Sequence, residues 1–460
     1  MKKLIWLWLG VILWANSGII RANEKVVTIV NPVRSRELWK DKSLTPVETQ
    51  YGAIGKYNLK ATWLVQNDVL GDKELVDKLK SFDKNQELGI FLEVTKNLAY
   101  RSRVYFEEQK PWYDPSGVFL SGYDLNDRKK IIDRMIRDFE NTFGYRPKSV
   151  GAWWIDSYSQ QYLENEYKIK TFLICSDQKT TDSYGIWGQW WGVPYHPARD
   201  NILVPGESKA VVIQWAQRDL EKAYEGSGPK VSNYSLQAND YLSQNLDIKY
   251  FERLAGEYLS VEKLGQITVG LETGMESVGN EAEFEKQLKW LKDNQIRSAT
   301  MSEFGQMYPS KNPDKIILGD WVLTPNYREN VKLNEKTIYQ KNKVFKDVYE
   351  KDTADFLNRV YAPENLINKK LISSDLLIKI LLIIGGCILI IKLKLKWWII
   401  VAVGISIWML IHMRYSVING EKMIGFLVDN LRFVGINLSS GIINTDLSNN
   451  IAKSMLKIHL

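Results

Sequence analysis

Cysteine and histidine are the scarce residues of this chain. Of its 460 residues, two are Cys and three are His. Cys175 and Cys387 cannot build a disulfide framework or a cysteine-based zinc site. His412 sits in an apolar C-terminal segment and His459 beside the C-terminus, so only His196 remains for the rest of the chain. A His-rich zinc centre cannot be assembled from it. A Ser-His-Asp triad would have to use His196, and no nucleophile-elbow motif accompanies it. No glycine-rich phosphate loop follows an apolar run, which argues against a nucleotide-binding doubly wound sheet. Arginine-rich runs are lacking as well. The net charge of +7 comes from scattered lysines, with much of the excess beside apolar segments in the C-terminal third. That distribution points to a membrane rather than to nucleic acid. What remains is carboxylate chemistry or binding without chemistry, and the expected cofactor and metal complement is none.

Long apolar runs, by contrast, are present at both ends. Lys2 and Lys3 precede the stretch Leu4 to Trp14, followed by Ala15, Asn16, Ser17 and Gly18, the pattern of an export signal or signal anchor over residues 1–22. Leu376 to Ile391 is almost wholly aliphatic, and Trp397 to Met413 is a second such run. Between them Lys392, Lys394 and Lys396 form a basic loop. A transmembrane helical hairpin over 371–413 is expected, with that loop cytoplasmic and the large preceding domain extracytoplasmic. Residues 329–370, rich in Lys, Asn and Glu, read as a helical juxtamembrane stalk. The tail 414–460, amphipathic around Met423 to Leu438, reads as a membrane-surface segment or a small cap.

Residues 23–328 alternate short apolar runs with amphipathic helical patterns, the signature of βα units. The candidate strands are Val26 to Val30, Lys60 to Val65, Glu87 to Val94, Ser149 to Ile155, Thr171 to Ser176, Ala210 to Trp215, Gln266 to Leu271 and Arg297 to Ser302. Helices are expected over Lys73 to Phe82, Leu125 to Phe143 and Glu281 to Asn294. In the second of these, Ile131, Ile132, Met135, Ile136 and Phe139 share one face, and Gly144 stops the helix. The pattern predicts an α/β fold, a (β/α) barrel of seven or eight parallel strands.

Such barrels place their working groups at the C-terminal ends of the strands. There the sequence offers Asn31, Gln66-Asn67-Asp68, Glu93, Asp156, Asp177, Gln217, Glu272 and Glu303, a ring of amides and carboxylates. Glu93, Asp156, Asp177 and Glu272 could hold a hard cation through oxygen, though their spacing does not require one. Aromatic residues accompany them. Trp153 and Trp154 end a strand. Trp187, Trp190 and Trp191 lie with Tyr184 and Tyr195 in the loop Tyr184 to Pro197, which also holds His196. Indole faces suit sugar rings as well as cores.

The stretch Lys60-Ala61-Thr62-Trp63-Leu64-Val65, with Asn85-Gln86-Glu87-Leu88-Gly89, resembles the second and third strands of polysaccharide deacetylases. Phe143-Gly144-Tyr145-Arg146-Pro147 before the strand Lys148 to Trp154 is similar too, as are the closing elements Leu288 to Asn294 and Ile296 to Phe304. The resemblance spans Val26 to Met307 and implies the distorted barrel of the glycoside hydrolase/deacetylase superfamily. It lacks the metal motifs. Val30-Asn31-Pro32-Val33 stands where that family has paired aspartates, and Gln86 and Phe91-Leu92-Glu93 stand where it has histidines. Gly151-Ala152-Trp153-Trp154-Ile155-Asp156 resembles a strand of glycoside hydrolase family 57 whose terminal carboxylate is the nucleophile, which implies that role for Asp156. Glu272 in Leu271-Glu272-Thr273-Gly274 then lies where that family has its acid/base.

The resulting expectation is a metal-independent, retaining glycoside hydrolase acting on surface or extracellular polysaccharide. Its carboxyls, Asp156 and Glu272, would stand about 5–5.5 Å apart. Glu93, Asp177, Asn31, His196 and the tryptophans would bind substrate. The alternatives are a catalytically inactive glycan-binding or envelope-assembly barrel and an atypical deacetylase.

Overall fold

The computed structural model describes residues 24–106, 118–175, 192–225, 228–229, 233–262, 265–339 and 341, together with five strands between residues 413 and 459. Two compact units divide the chain, residues 1–98 with 107–361, and residues 99–106 with 362–460.

The first unit is built on an eight-stranded parallel sheet. Its strands are β1 (Lys25–Val33), β2 (Ala61–Gln66), β3 (Gln86–Phe91), β4 (Ser149–Gly151), β5 (Thr171–Ile174), β6 (Val211–Gln214), β7 (Gly265–Val269) and β8 (Arg297–Ser298). The intervening helices used below are α1 (Thr45–Lys56), α2 (Lys73–Lys80), α3 (Leu125–Phe143), α4 (Ser157–Tyr167), α5 (Ile248–Leu259), α6 (Glu281–Asp293) and α7 (Met301–Met307). All eight expected strands form, but β4 and β8 are shorter than their apolar runs suggested. The run after β8 turns into α7, because Thr300 and Glu303 make a reciprocal capping box that starts a helix. In α3 the expected face is buried and Gly144 ends the helix at φ +81°, a conformation glycine adopts without a Cβ penalty.

β1 is the hub. Its N-terminal half pairs with β7, Lys25 opposite Gly265 through Ile29 opposite Val269. Its C-terminal half pairs with β2, Ile29 opposite Ala61 through Val33 opposite Val65. β8 fills in beside Val26 and Val27. From β2 the ladder runs in order to β6. No ladder joins β6 to β7. The Gln217 side chain spans that seam instead, its Oε1 accepting from the Thr268 backbone N–H at 2.8 Å and its Nε2 donating to Gln266 Oε1 at 3.2 Å.

Alternation decides which side chains face the barrel axis. Trp63 packs against Phe82, centroids 4.9 Å apart, and Asn31 accepts from Gln50 of α1, so these residues face the helices. Residues of the other parity share the interior. Gly89 and Gly151 leave the room that Leu64 occupies, since a Cβ on either would strike its side chain. Burying such a leucine stabilises by about 1.5–3 kcal/mol. Gly270, just past β7, has φ +152° and lies so close to β1 that a Cβ would overlap the Val30 carbonyl.

Beyond α7, a four-stranded antiparallel sheet forms from β9 (Ile316–Leu318), β10 (Trp321–Leu323), β11 (Tyr327–Asn330) and β12 (Glu335–Ile338). Trp321 Nε1 donates to the Leu220 carbonyl at 3.2 Å and ties this sheet to the barrel. The helical stalk expected from Glu329 therefore opens as strands, and the barrel boundary at 328 falls inside a sheet. The pairing of Arg328 with Leu323 and Thr337 accounts for it. In the second unit, Met413–Ile418, Glu421–Val428, Arg432–Asn437, Ile442–Thr445 and Ile458–His459 form a five-stranded antiparallel sheet in sequence order, where the sequence suggested a surface segment or cap. No helix among the described residues is long and apolar enough to cross a membrane. The signal at 1–22 and the hairpin over 371–413, apart from Met413, lie outside the described residues.

Candidate functional site at the C-terminal barrel mouth

Alternation carries Gln66 and Phe91 inward with Leu64, and Arg34, Glu93, Trp153, Cys175, Trp215 and Glu272, from the segments just past the strands, gather at the same end of the barrel. Phe91, Trp153 and Trp215 form an edge-on aromatic chain, with centroids 5.0 and 5.5 Å apart. Over this floor lies one guanidinium. Arg34 donates from Nε to Glu93 Oε2 at 2.8 Å, from Nη2 to Glu93 Oε1 at 2.6 Å, and from Nη1 to Glu272 Oε1 at 3.2 Å. Glu93 also accepts from Gln66 Nε2 at 2.6 Å, and Gln66 in turn accepts from the Ser35 N–H at 2.9 Å. Arg34, Glu93 and Glu272 are 7%, 3% and 5% exposed. Burial opposes the charged guanidinium, yet Glu93 and Glu272 outweigh it and hold Arg34 above its ordinary range.

A second chain of bonds supports Glu272 from behind. Glu276 Oε2 accepts from the Glu272 backbone N–H at 2.8 Å and from Gln237 Nε2 at 2.5 Å. Gln237 accepts from Trp215 Nε1 at 2.8 Å. Beside the floor, Arg218 binds Asp240 at 2.8 Å and donates to Cys175 Sγ at 3.5 Å. Burial raises the Asp240 carboxyl above its usual range despite Arg218 and Ser235.

Asp156 takes no part in this network. It is fully buried and caps the N-terminus of α4. Its Oδ1 accepts from Arg128 of α3 at 2.8 Å and from the Ser159 N–H at 2.9 Å, and its Oδ2 accepts from Ser159 Oγ at 2.7 Å. Both oxygens are engaged by the scaffold, so the nucleophile expected here is a helix cap in an ion pair. β4 ends at Gly151, and the four residues that follow carry Asp156 to the start of α4 rather than to a strand tip.

The other expected site residues divide similarly. Asn31 faces α1, with its Oδ1 held by Gln50 at 2.7 Å and by the Leu271 N–H at 3.3 Å, so it is a packing tie and not a rim group. His196 has each ring nitrogen 2.7 Å from a carbonyl oxygen, of Ala210 and of Pro309, and joins the barrel to the segment after α7. Trp154 is buried at 2% exposure, a core residue. Trp153 lies in the floor. Glu303, counted with the rim acids, instead caps α7 and pairs with Lys60 at the opposite end of the barrel. Asp177, Trp187, Trp190 and Trp191 lie outside the described residues.

The polysaccharide deacetylases the sequence resembles use a metal, and the residues at the corresponding positions do not fit one. Asn31 is turned to α1, Gln86 accepts from Trp63 Nε1 at 2.9 Å, and Glu93 is held by Arg34. Among the described residues no three His, Cys, Asp or Glu side chains stand together as metal ligands.

Solved structures share this fold. The chain superposes on a candidate glycoside hydrolase/deacetylase from Parabacteroides distasonis with a TM-score of 0.50 at 15% identity, covering 75% of this chain and 99% of that one. A peptidoglycan deacetylase from Bacillus subtilis matches with a TM-score of 0.32 at 12% identity, over 62% of this chain and 92% of that one. A CE4 family pseudoenzyme from Bacillus anthracis matches with a TM-score of 0.33 at 10% identity, over 64% and 69%. No protein-family model matches the chain, and no curated protein does. The fold is thus a nearly closed parallel barrel like that of the candidate glycoside hydrolase/deacetylase structure.

Proposed function

We propose that the protein is a glycan-binding barrel that holds a sugar chain at its C-terminal mouth without hydrolysing it. The observation that carries this reading is the state of the mouth's polar groups. Glu93 and Glu272 are both bound to Arg34, whereas a retaining hydrolase needs one free nucleophilic carboxylate opposite a proton-donating acid. At the same time Trp153 Nε1, buried in the aromatic floor, has no hydrogen-bond partner among the described residues. Buried donors are nearly always satisfied, and a sugar hydroxyl over the floor would supply the missing acceptor. A rim of polar groups fixed by an ion pair, with buried aromatic side chains directly beneath it, suits the polar edge of a neutral pyranose.

The lysine-flanked apolar runs at 1–22 and 371–413 support tethering of this barrel to the outer face of a membrane, within reach of envelope or extracellular polysaccharide. The test uses the full chain in non-ionic detergent, with a glycan array for binding and product analysis for turnover. Binding without product is expected. Release of reducing ends, abolished by Glu272→Gln, would overturn the reading in favour of a hydrolase, and release of acetate would favour a deacetylase.

A further inference from the structure

The opposite end of the barrel carries a concavity. Between α7 and the N-terminal ends of β3, β4 and β5 lies a cleft of about 900 Å³. Five cations line it: Lys84 before β3, Arg146 and Lys148 before β4, and Lys168 and Lys170 before β5. Arg146 has Glu140 at 3.5 Å, and Lys168 donates to the Asn165 carbonyl. Lys84, Lys148 and Lys170 form no ion pair among the described residues. The two acids of the cleft are already engaged. Glu87 accepts from Ser149 Oγ at 2.5 Å and from Ser302 N at 3.2 Å, while Glu303 accepts from the Thr300 N–H at 3.1 Å and pairs with Lys60.

This arrangement costs stability. Ser149 is paired with Thr171 across β4 and β5, so Lys148 and Lys170, one residue earlier, stand level on neighbouring strands. Like charges directly opposite destabilise a sheet, and neither lysine has a carboxylate within ion-pair distance among the described residues. A further group in the cleft is incomplete. Thr171 is 1% exposed, and its Oγ1 has no hydrogen-bond partner among the described residues. Gly305 of α7 faces that hydroxyl, and a Cβ there would fall on it.

We propose that this cleft is a binding site for a phosphate-bearing ligand, separate from the barrel mouth. Lys148, Lys170 and Lys84 neutralise the phosphate, and Thr171 Oγ1 hydrogen-bonds one of its oxygens. A concave cleft encloses a phosphoryl group better than it meets a flat surface. The phosphate belongs either to a soluble anion or to a lipid headgroup.

Calorimetric titration of the full chain in non-ionic detergent with inorganic tripolyphosphate, beside co-sedimentation with phosphatidylcholine vesicles with and without phosphatidylglycerol, tests the site and its source. Tripolyphosphate binding that weakens about tenfold or more in Lys148→Gln/Lys170→Gln is expected, as for loss of charge-assisted hydrogen bonds. The same charge change at exposed Lys249 and Lys292, on α5 and α6, should leave affinity within about twofold. Thr171→Val, which removes only the unpartnered hydroxyl, should weaken binding several-fold with no loss of thermal stability. Binding confined to phosphatidylglycerol vesicles, and lost in the same variants, assigns the phosphate to a lipid headgroup. No binding by the wild-type chain, or equal losses in the cleft and control pairs, would overturn the proposal.

Discussion

The two ends of the barrel treat charge in opposite ways. At the C-terminal mouth the acids are buried and fixed, Glu93 and Glu272 on Arg34 and Asp156 nearby on Arg128. At the N-terminal end, lysines stand exposed and side by side with their internal carboxylates engaged elsewhere. The first arrangement rigidifies. A buried guanidinium with two carboxylate partners holds three strand ends in one geometry, and its desolvation is compensated only while every partner stays in place. The second keeps its charge available to an outside partner. Charge number does not separate the two ends; the degree of internal pairing does.

Mutations that unpair the mouth should show the largest effects. Arg34→Met strands two buried carboxylates and should cost about 3–5 kcal/mol or more in chemical denaturation. Adding Glu93→Gln and Glu272→Gln to it should recover most of that loss, since the cost lies in uncompensated charge. An Arg34→Met chain as stable as wild type would erase the contrast between the ends. Asp156→Ala comes next. It removes an ion pair and a helix cap together, and about 3–4 kcal/mol of destabilisation is expected. Unchanged stability with lost turnover would instead restore Asp156 to a catalytic role. Lys148→Gln/Lys170→Gln should do the reverse to the fold, leaving it unchanged or raising stability by roughly 0.2–1 kcal/mol through relief of like-charge contact.

The smallest effect concerns pH. Burial works against the Asp219 carboxylate, but the N–H groups of Lys222 and Glu221 and the Arg253 guanidinium outweigh it and hold its carboxyl below the usual range. A depressed folded value means that Asp219 stabilises the fold above the ordinary aspartate value near about 3.9, and that this contribution disappears as pH falls through the depressed value. Asp219→Asn should therefore lower stability at neutral pH and flatten the acid limb of the unfolding profile, measured by denaturation at a series of pH values.

Much of the barrel was legible in the sequence because parallel strands buried on both faces read as continuous apolar runs. The mouth was harder. Reading β1 only as far as Val30 hid Arg34, because Asn31 and Pro32 look like a loop. The strand in fact continues to Val33, and its alternation turns Asn31 toward α1 and Arg34 to the mouth. Asp156 misled for a related reason. Trp153 and Trp154 look like strand residues and made the acid after them look like a strand tip, although the Asp-Ser-Tyr-Ser segment before a helical stretch is also a capping signal. The Thr300-x-x-Glu303 box was equally readable and would have moved Glu303 off the rim. The pairing of Arg34 with both Glu93 and Glu272 joins residues 59 and 238 positions apart, and no local pattern reports such a distance.

The Gln217 amide has a consequence for how the barrel moves. At every other junction the neighbouring strands are held by repeated backbone bonds, so parting them means breaking a ladder. Between β6 and β7 the backbone N–H of Thr268 is held by a single side chain, and one rotamer change releases it. Hydrogen exchange at Thr268 should then follow side-chain breathing rather than cooperative opening of a strand. The cylinder is buttoned along one edge rather than woven shut, and swelling or slackening of its interior would be felt there first.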